Sequence, residues 1–213
     1  MKIFVVGASG RVATELIKAL VENGHEVTAA ARHPENVSLK DDPHVTAVKL
    51  DLHADVAELA ELIGHQDVVY FTAGSRGKDL LQTDAFGAVK TMQAAQKNQI
   101  KRYIMLSSVH SLEPKFWHRP GLEQIMNYNV AKFFADNYLV NQTDLDYTIL
   151  QPTALTEEPG TEKITLGTGK VATNPISDVA KTLALLLEFD NTKKKVISMR
   201  SGQTPIKEAL AKV

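Results

Sequence analysis

The sequence predicts an α/β fold with a doubly wound parallel sheet, and two observations support this prediction. The first is a regular alternation between short apolar, β-prone segments and longer segments with apolar residues at helical spacing. The second is a glycine turn, residues 7–10, which joins the first apolar segment to the first helical one. Strands and helices in this alternation form a parallel sheet with helices on both faces and right-handed crossover connections.

The first half of the chain follows this alternation without interruption. Helical spacing begins after the glycine turn at Val12 and ends at Gly24, and further helices are expected at about 56–62 and 81–97. Pro34 ends the second strand. The strands predicted in this half cover residues 2–6, 26–31, 45–50, 67–72 and 102–106.

The second half is less regular. Residues 109–121 form a predicted loop, followed by a helix at 123–140 and a strand at 147–150. After Pro152, glycines and prolines predict a small loop-rich region that precedes a helix at 176–187 and a strand at 195–199. Ligands of such sheets bind beyond the carboxyl ends of the strands, so residues from about 152 to 213 are expected to form a substrate wall.

Length and composition favour one domain, residues 1–213, because no proline-rich, serine-rich or charge-blocked linker divides the chain. The formal net charge is −1 with both signs scattered, which argues against binding to nucleic acid or an anionic membrane. The absence of cysteine fits a reducing compartment, and a cytoplasmic location is the default expectation. No signal peptide, membrane span, metal-ligand spacing or nucleophilic serine elbow is expected from the sequence.

The turn after the first strand reads Gly7-Ala8-Ser9-Gly10-Arg11-Val12, where a dinucleotide fold requires a phosphate-binding turn. Glycines allow the backbone to turn tightly, and free N–H groups at the helix N-terminus attract a pyrophosphate. The spacing departs from G-x-G-x-x-G, with Ala13 at the place of a third glycine. A turn that merely joins strand to helix is the alternative. The position of the turn in the βα pattern favours a Rossmann-type dinucleotide site.

The end of the second strand predicts the choice of cofactor. NAD sites usually carry a carboxylate there, whereas this chain has Arg32, which can bind the 2′-phosphate of NADP(H). Arg11 would add to the same positive pocket, and the alternative is a solvated arginine at a strand end. Asp51, after the third strand, is a candidate acceptor for the adenine amino group. NADP(H) is therefore predicted in preference to NAD(H).

Several further motifs occur in an order that resembles the atypical short-chain dehydrogenase/reductases, the NAD(P)-binding group with NmrA-like, flavin-reductase-like and epimerase-like members. The resemblance spans nearly the whole chain and does not specify a substrate. One departure is Gln151, where related chains commonly have arginine. The segments that carry the resemblance are 6–12, Ala31-Arg32, Asp51-Leu52, Ala73-Gly74, Leu106-Ser107-Ser108, 128–132, 145–152, 156–161 and 176–180.

The resemblance implies a role for each matching residue. Arg32 would bind the 2′-phosphate, Ala73 and Gly74 would pass beside the ribose, and Asp51-Leu52 would contact the adenine. Lys132 would contact the nicotinamide ribose, with Pro152 and Thr153 near the carboxamide. The residues expected to line the pyrophosphate are Gly7, Ser9, Gly10, Arg11 and Val12.

Tyr128 and Lys132 are the candidate catalytic pair. They lie four residues apart in a predicted helix and therefore on the same face, where the ammonium would stabilise a phenolate during acid or base catalysis. Ser108, after the fifth strand, would hydrogen-bond the substrate oxygen. Tyr-x-x-x-Lys is also frequent by chance, in which case Tyr128 packs and Lys132 is solvated.

Three functions fit these residues. The first is an NADPH-dependent oxidoreductase that reduces a small carbonyl, quinone or flavin-like acceptor, with Tyr128 as proton donor. The second is an epimerase or dehydratase of a sugar-like ligand that uses the same three residues. The third is a non-catalytic NADP(H) sensor similar to NmrA, which would bind a protein partner instead of a small-molecule substrate.

Overall fold

The computed structural model describes residues 1–169 and 172–213, and strands and helices alternate along most of this chain. The short 3₁₀ turns between them are Pro34–Asn36, Pro114–Phe116, Glu123–Ile125 and Asp190–Thr192. The strands are β1 (Lys2–Val6), β2 (Glu26–Ala31), β3 (Val45–Lys49), β4 (Val68–Phe71), β5 (Arg102–Leu106), β6 (Asp146–Pro152), β7 (Leu155–Thr156), β8 (Lys163–Leu166), β9 (Asn174–Pro175), β10 (Lys195–Ser201) and β11 (Thr204–Pro205). The helices are α1 (Arg11–Glu22), α2 (Val56–Ile63), α3 (Ala88–Lys97), α4 (Met126–Gln142), α5 (Ile176–Leu185) and α6 (Ile206–Leu210).

Nine of these strands form one sheet in the order β11-β8-β10-β6-β5-β4-β1-β2-β3. The strands from β3 to β10 in this order are parallel, which confirms the predicted doubly wound α/β fold. The chain order reverses between β1 and β4, so their carboxyl ends open a crevice at the topological switch point, where such sheets bind ligands.

Helices cover both faces of the sheet because their apolar residues recur at helical spacing. On one face, Leu16 of α1 and Leu183 of α5 belong to the same buried cluster. On the other face, Leu59, Met92 and Leu139 of α2, α3 and α4 form a second cluster. The central strands are buried on both sides, which explains why they read as continuous apolar runs.

The helix predicted at 81–97 is divided in the structure. A π-helical segment, Leu80–Gly87, precedes α3, and its wide turn directs the fully buried Asp84 inward, where Oδ2 accepts a hydrogen bond from Ser75 N at 2.9 Å. A Cβ at Gly87 would lie only 3.1 Å from the Leu52 side chain, so this turn packs closely on the loop after β3. Periodicity does not distinguish a π-helical turn from an α-helical one.

The C-terminal region is more ordered than the sequence predicts. Here β8 pairs antiparallel with both β10 and β11, so the sheet becomes mixed at this edge. The strands β7, β9 and β11 have two residues each, too few for a period-two pattern to be visible. The helix predicted to start at residue 123 begins at Met126, after a 3₁₀ turn.

Candidate functional site

A groove of about 820 Å³ opens beyond the carboxyl ends of β1 to β4. Its walls combine the turn after β1 with the ends of the neighbouring strands, as expected at a topological switch point. The predicted dinucleotide residues that line it are Gly7, Ser9, Gly10, Arg11, Val12, Arg32, Asp51, Leu52, Ala73 and Gly74.

The turn from β1 to α1 requires glycine for two reasons. Gly7 has a φ of +85°, and a Cβ placed on it would lie 2.5 Å from the Cα of Ala73. Gly10 is the N-cap of α1 and has no side chain to accept from the free amides, whereas Asp55 caps α2 by accepting from Ala57 N at 2.7 Å. The free amides in the first turn of α1 are therefore available to bind an external anion, and these residues fit a pyrophosphate.

The charged residues that line the groove are mainly positive. Asp51 is the one acidic residue among its described lining residues, and its Oδ1 accepts a hydrogen bond from His53 N at 2.9 Å within the same loop. Arg11 pairs with Glu157 at 2.5 Å, but both side chains are largely exposed, so this ion pair is weak. The cationic residues that line the groove are Arg11, Arg32, Lys49, Arg76 and Lys78.

A second cavity, of about 490 Å³, adjoins the groove. It contains Ser108, Tyr128 and Lys132, together with Pro152 and Thr153. The structure thus brings the predicted catalytic group and the predicted carboxamide contacts into one cavity. Five of the described residues line both spaces, which therefore lie side by side and share a wall: Thr72, Ala73, Gly74, Leu106 and Leu155.

Tyr128 and Lys132 lie one turn apart on α4 and face this cavity. The Nζ of Lys132 is 5.7 Å from the centre of the Tyr128 ring and donates a hydrogen bond to the carbonyl oxygen of Leu106 at 3.3 Å. Lys132 is only 3% exposed, and within the described residues no carboxylate lies within 4.0 Å of its ammonium. A desolvated ammonium of this kind is well placed to stabilise negative charge that develops beside it.

A buried polar network behind the cavity was not predicted from the sequence. Its centre is Asp136, fully buried on α4, whose Oδ2 accepts hydrogen bonds from the hydroxyls of Ser107, at 2.5 Å, and Ser111. Gln151 Nε2 donates to Ser111 Oγ at 2.6 Å, and Ser198 donates to Gln151 Oε1 at 3.3 Å. The four-residue spacing of Tyr128, Lys132 and Asp136 is a sequence signal that could have indicated it, but Asp136 was not among the predicted site residues.

The direction of these hydrogen bonds determines whether the serines of the cavity wall act as donors or acceptors toward a ligand. Ser107 and Ser198 line the cavity and donate their protons to Asp136 and Gln151, so each hydroxyl oxygen is left to accept a hydrogen bond from a ligand. Burial raises the pKa of Asp136, while hydrogen bonds from Ser107 and Ser111 and the charge of Lys132 oppose this shift. Gln151 completes the chain without adding the charge that an arginine would bring.

The described residues form neither a metal-ligand cluster nor a membrane-spanning helix. No group of three or more histidine, aspartate or glutamate residues lies close enough together to hold a metal ion in residues 1–169 and 172–213. Across the same ranges, no helix has both the length and the apolar character needed to cross a membrane. The predicted cytoplasmic location stays a prediction.

Comparison with known proteins finds a matching family model and several similar chains. A sequence model described as NAD(P)H-binding matches residues 7–190. The sugar epimerase YhfK of Bacillus subtilis, itself uncharacterized, is 33% identical over the whole of both chains. The structure of the oxidoreductase ylbE from Lactococcus lactis is 44% identical, with a TM-score of 0.96 over 100% of this chain and 96% of that one. A candidate NAD-dependent epimerase/dehydratase from Bacillus halodurans is 33% identical, with a TM-score of 0.89 over the whole of both chains.

Proposed function

Since the chain belongs to the NAD(P)H-binding family, within the atypical short-chain dehydrogenase/reductase group, we propose that it is an NADP(H)-dependent oxidoreductase. Its acceptor would be a small carbonyl compound, quinone or flavin-like molecule bound in the second cavity. The observation that carries this proposal is that the groove shares a wall with the cavity that contains Ser108, Tyr128 and Lys132. A dinucleotide in the groove would reach the acceptor through the shared boundary.

The bound nicotinamide would supply a hydride to the acceptor, and the protein would orient the acceptor and manage the proton. For a carbonyl acceptor, the carbon gains the hydride and the oxygen gains the phenolic proton of Tyr128, which solvent then restores. Lys132 stabilises the phenolate that forms, and Ser108 orients the acceptor oxygen. The neighbouring Ser107 presents a lone pair to a donor group of the ligand.

The proton-donor assignment is tested by Tyr128→Phe, which removes the phenolic proton and preserves the ring. We expect NADPH oxidation with the best of a panel of aldehydes, ketones, quinones and oxidised flavins to fall at least tenfold, equivalent to about 1.4 kcal/mol of barrier. The matched control is Tyr138→Phe, because Tyr138 lies on the same helix, outside the cavity, and receives a hydrogen bond from Gln93 at 3.0 Å.

The outcomes separate the candidate functions. Equal turnover in wild type and Tyr128→Phe would contradict the assignment of Tyr128. NADPH binding without turnover of any acceptor would contradict the reductase proposal and favour a sensor, whose affinity for a protein partner would then depend on the dinucleotide. A small-molecule substrate is the partner that the cavity supports.

An epimerase or dehydratase is the second candidate, because two of the similar proteins are named for such activities. It would use the same Ser108, Tyr128 and Lys132 with a transient hydride transfer, so the dinucleotide would return to its starting redox state. Product formation from a sugar-like ligand without net NADPH consumption distinguishes it from a reductase.

Preference for NADP(H) over NAD(H) is proposed from the positive charge of the groove around Arg32. We expect Arg32→Ala to weaken NADPH binding by about tenfold to a hundredfold, since hydrogen bonds to charged groups contribute about 1.5–3 kcal/mol. NADH lacks the 2′-phosphate, and its binding should weaken far less. Calorimetric titration of both dinucleotides measures this, with the exposed Lys18→Ala on α1 as control. Equal weakening of both would refute the assignment.

A further inference from the structure

We infer that the acceptor of this cavity carries an anionic group, a carboxylate or phosphate, which binds between Arg119 and Arg200. This inference rests on the proposed function, because it defines the substrate class of the same cavity. Both arginines line the cavity that contains Tyr128, and neither lines the dinucleotide groove. They come from separate parts of the chain, the loop after β5 and strand β10.

The charge of the cavity wall is one-sided. Its described lining residues include the cations Lys132, Arg119 and Arg200, but no aspartate or glutamate. Within the described part of the chain, neither arginine has a carboxylate oxygen within 4.0 Å. Positive charge that is not neutralised by the protein favours an anionic ligand, and arginine binds planar carboxylates and phosphates through paired N–H donors.

Arg119 is held in place by an aromatic ring instead of a carboxylate. The centre of its guanidinium lies 3.9 Å from the centre of the Phe116 ring, which in turn packs against the tilted ring of His110, with the ring centres 4.4 Å apart. The acidic residue of this loop, Glu113, accepts from His110 Nδ1 at 2.7 Å. Since stacking on a ring face uses none of the N–H donors of Arg119, these donors remain for a ligand.

Arg200 is positioned by backbone. Its Nη1 donates to the carbonyl oxygen of Gly167 at 3.2 Å, and its guanidinium lies so close to Gly169 that a Cβ there would be 2.3 Å from Nη1. The single carbonyl contact occupies one of five donors. The loop after β8 therefore positions the guanidinium without neutralising its charge.

The remaining wall defines the rest of the acceptor. Most of the lining is apolar, including Val109, Leu122, Ile125, Leu155 and Met199. A volume of about 490 Å³ lies within the range of small-molecule sites. The wall thus fits an apolar, compact body with one anionic substituent, and it disfavours an uncharged acceptor of the same shape.

The test compares acceptors that share one reacting group. With NADPH-loaded protein, kcat/KM is measured for 4-carboxybenzaldehyde, 4-formylphenyl phosphate and the neutral methyl 4-formylbenzoate. We expect at least one anionic aldehyde to exceed the ester at least tenfold in wild type. Arg200→Gln and Arg119→Gln should each reduce that ratio at least fivefold. The control is Lys115→Gln, the same change of charge beside the same Phe116 ring but outside the cavity lining.

Calorimetric binding of the same compounds, to protein with and without NADP⁺, separates the two proposals. If no aldehyde is reduced but Arg200→Gln weakens binding of the anionic compounds, the anion site stands and the reductase proposal fails. If all three compounds are reduced alike in wild type and both variants, the anion site is refuted and the reductase proposal stands. Loss of NADPH affinity in these variants, or no binding of the anionic compounds, also refutes the anion site.

Discussion

Asp136 is a buried carboxyl group at the centre of the hydrogen-bond network behind the cavity. Its side chain is fully buried, Oδ2 accepts from two serine hydroxyls, and Oδ1 has no partner within the described residues. An ionised carboxylate in this position carries a desolvation penalty that the hydrogen bonds offset only in part. The result is that Ser107 and Ser198, which donate their protons to Asp136 and Gln151, present only hydrogen-bond acceptors to the cavity.

This arrangement predicts a pH-dependent difference in stability between wild type and Asp136→Asn. Burial raises the pKa of Asp136 above its value in the unfolded chain, so the folded state binds the proton more tightly. The resulting contribution to stability is present at acid pH and is lost as pH rises through the folded-state pKa. Asparagine does not titrate. We therefore expect the free energy of unfolding of Asp136→Asn, relative to wild type, to increase between pH 4 and pH 7.5.

Urea unfolding at several pH values measures this difference, and the exposed Asp144→Asn supplies the background. A relative stability that falls with pH would mean that Asp136 is stabilised as the carboxylate. That result would reverse the balance between burial and hydrogen bonding described above.

At the scale of elements, the junction of β1, α1 and β4 depends on the close approach of Gly7 to Ala73. Gly7 lies against the backbone of Ala73, after the strands that flank the switch point. The same two residues line the groove, and Ala73 also lines the cavity. Any atom added at Gly7 must therefore displace the boundary between the two spaces.

Substitution of two glycines separates backbone strain from this close approach. Gly7 and Gly24 have similar positive φ values, +85° and +76°, but a Cβ at Gly24 would have no atom within 4 Å. We expect Gly24→Ala to destabilise the fold by about 1–2 kcal/mol through backbone strain alone. Gly7→Ala should destabilise it further and also weaken NADPH binding. Urea unfolding and dinucleotide titration test this, and equal losses in both variants would contradict the role of Ala73.

At the scale of the whole molecule, much of the architecture follows from sequence pattern. Apolar periodicity predicted the parallel strands, and the glycines after β1 predicted where the groove begins, because both signals are local. The spacing of Tyr128 and Lys132 placed them on one helical face, and the structure directs that face into the cavity.

The parts that sequence did not predict depend on distant residues that converge. Arg119 and Arg200 lie in separate segments, and Ser107, Asp136 and Gln151 come from the loop after β5, from α4 and from β6. Apolar periodicity describes one secondary-structure element at a time, so it does not predict which side chains from distant segments come into contact. The two-residue strands and the π-helical turn before α3 were missed for other reasons: the strands are too short to show a period-two pattern, and periodicity does not distinguish a π-helical turn from an α-helical one.

The boundary shared by the groove and the cavity also limits how such a protein can diversify. Thr72, Ala73 and Gly74 line both spaces, so under the proposed function a change there would alter dinucleotide and acceptor recognition together. Arg119 and Arg200 touch the cavity alone. Under the same proposal, changes at these two positions would alter acceptor preference without loss of the cofactor. Evolutionary change at the three shared residues would thus be constrained by both ligands, whereas change at the two arginines would be constrained by the acceptor alone.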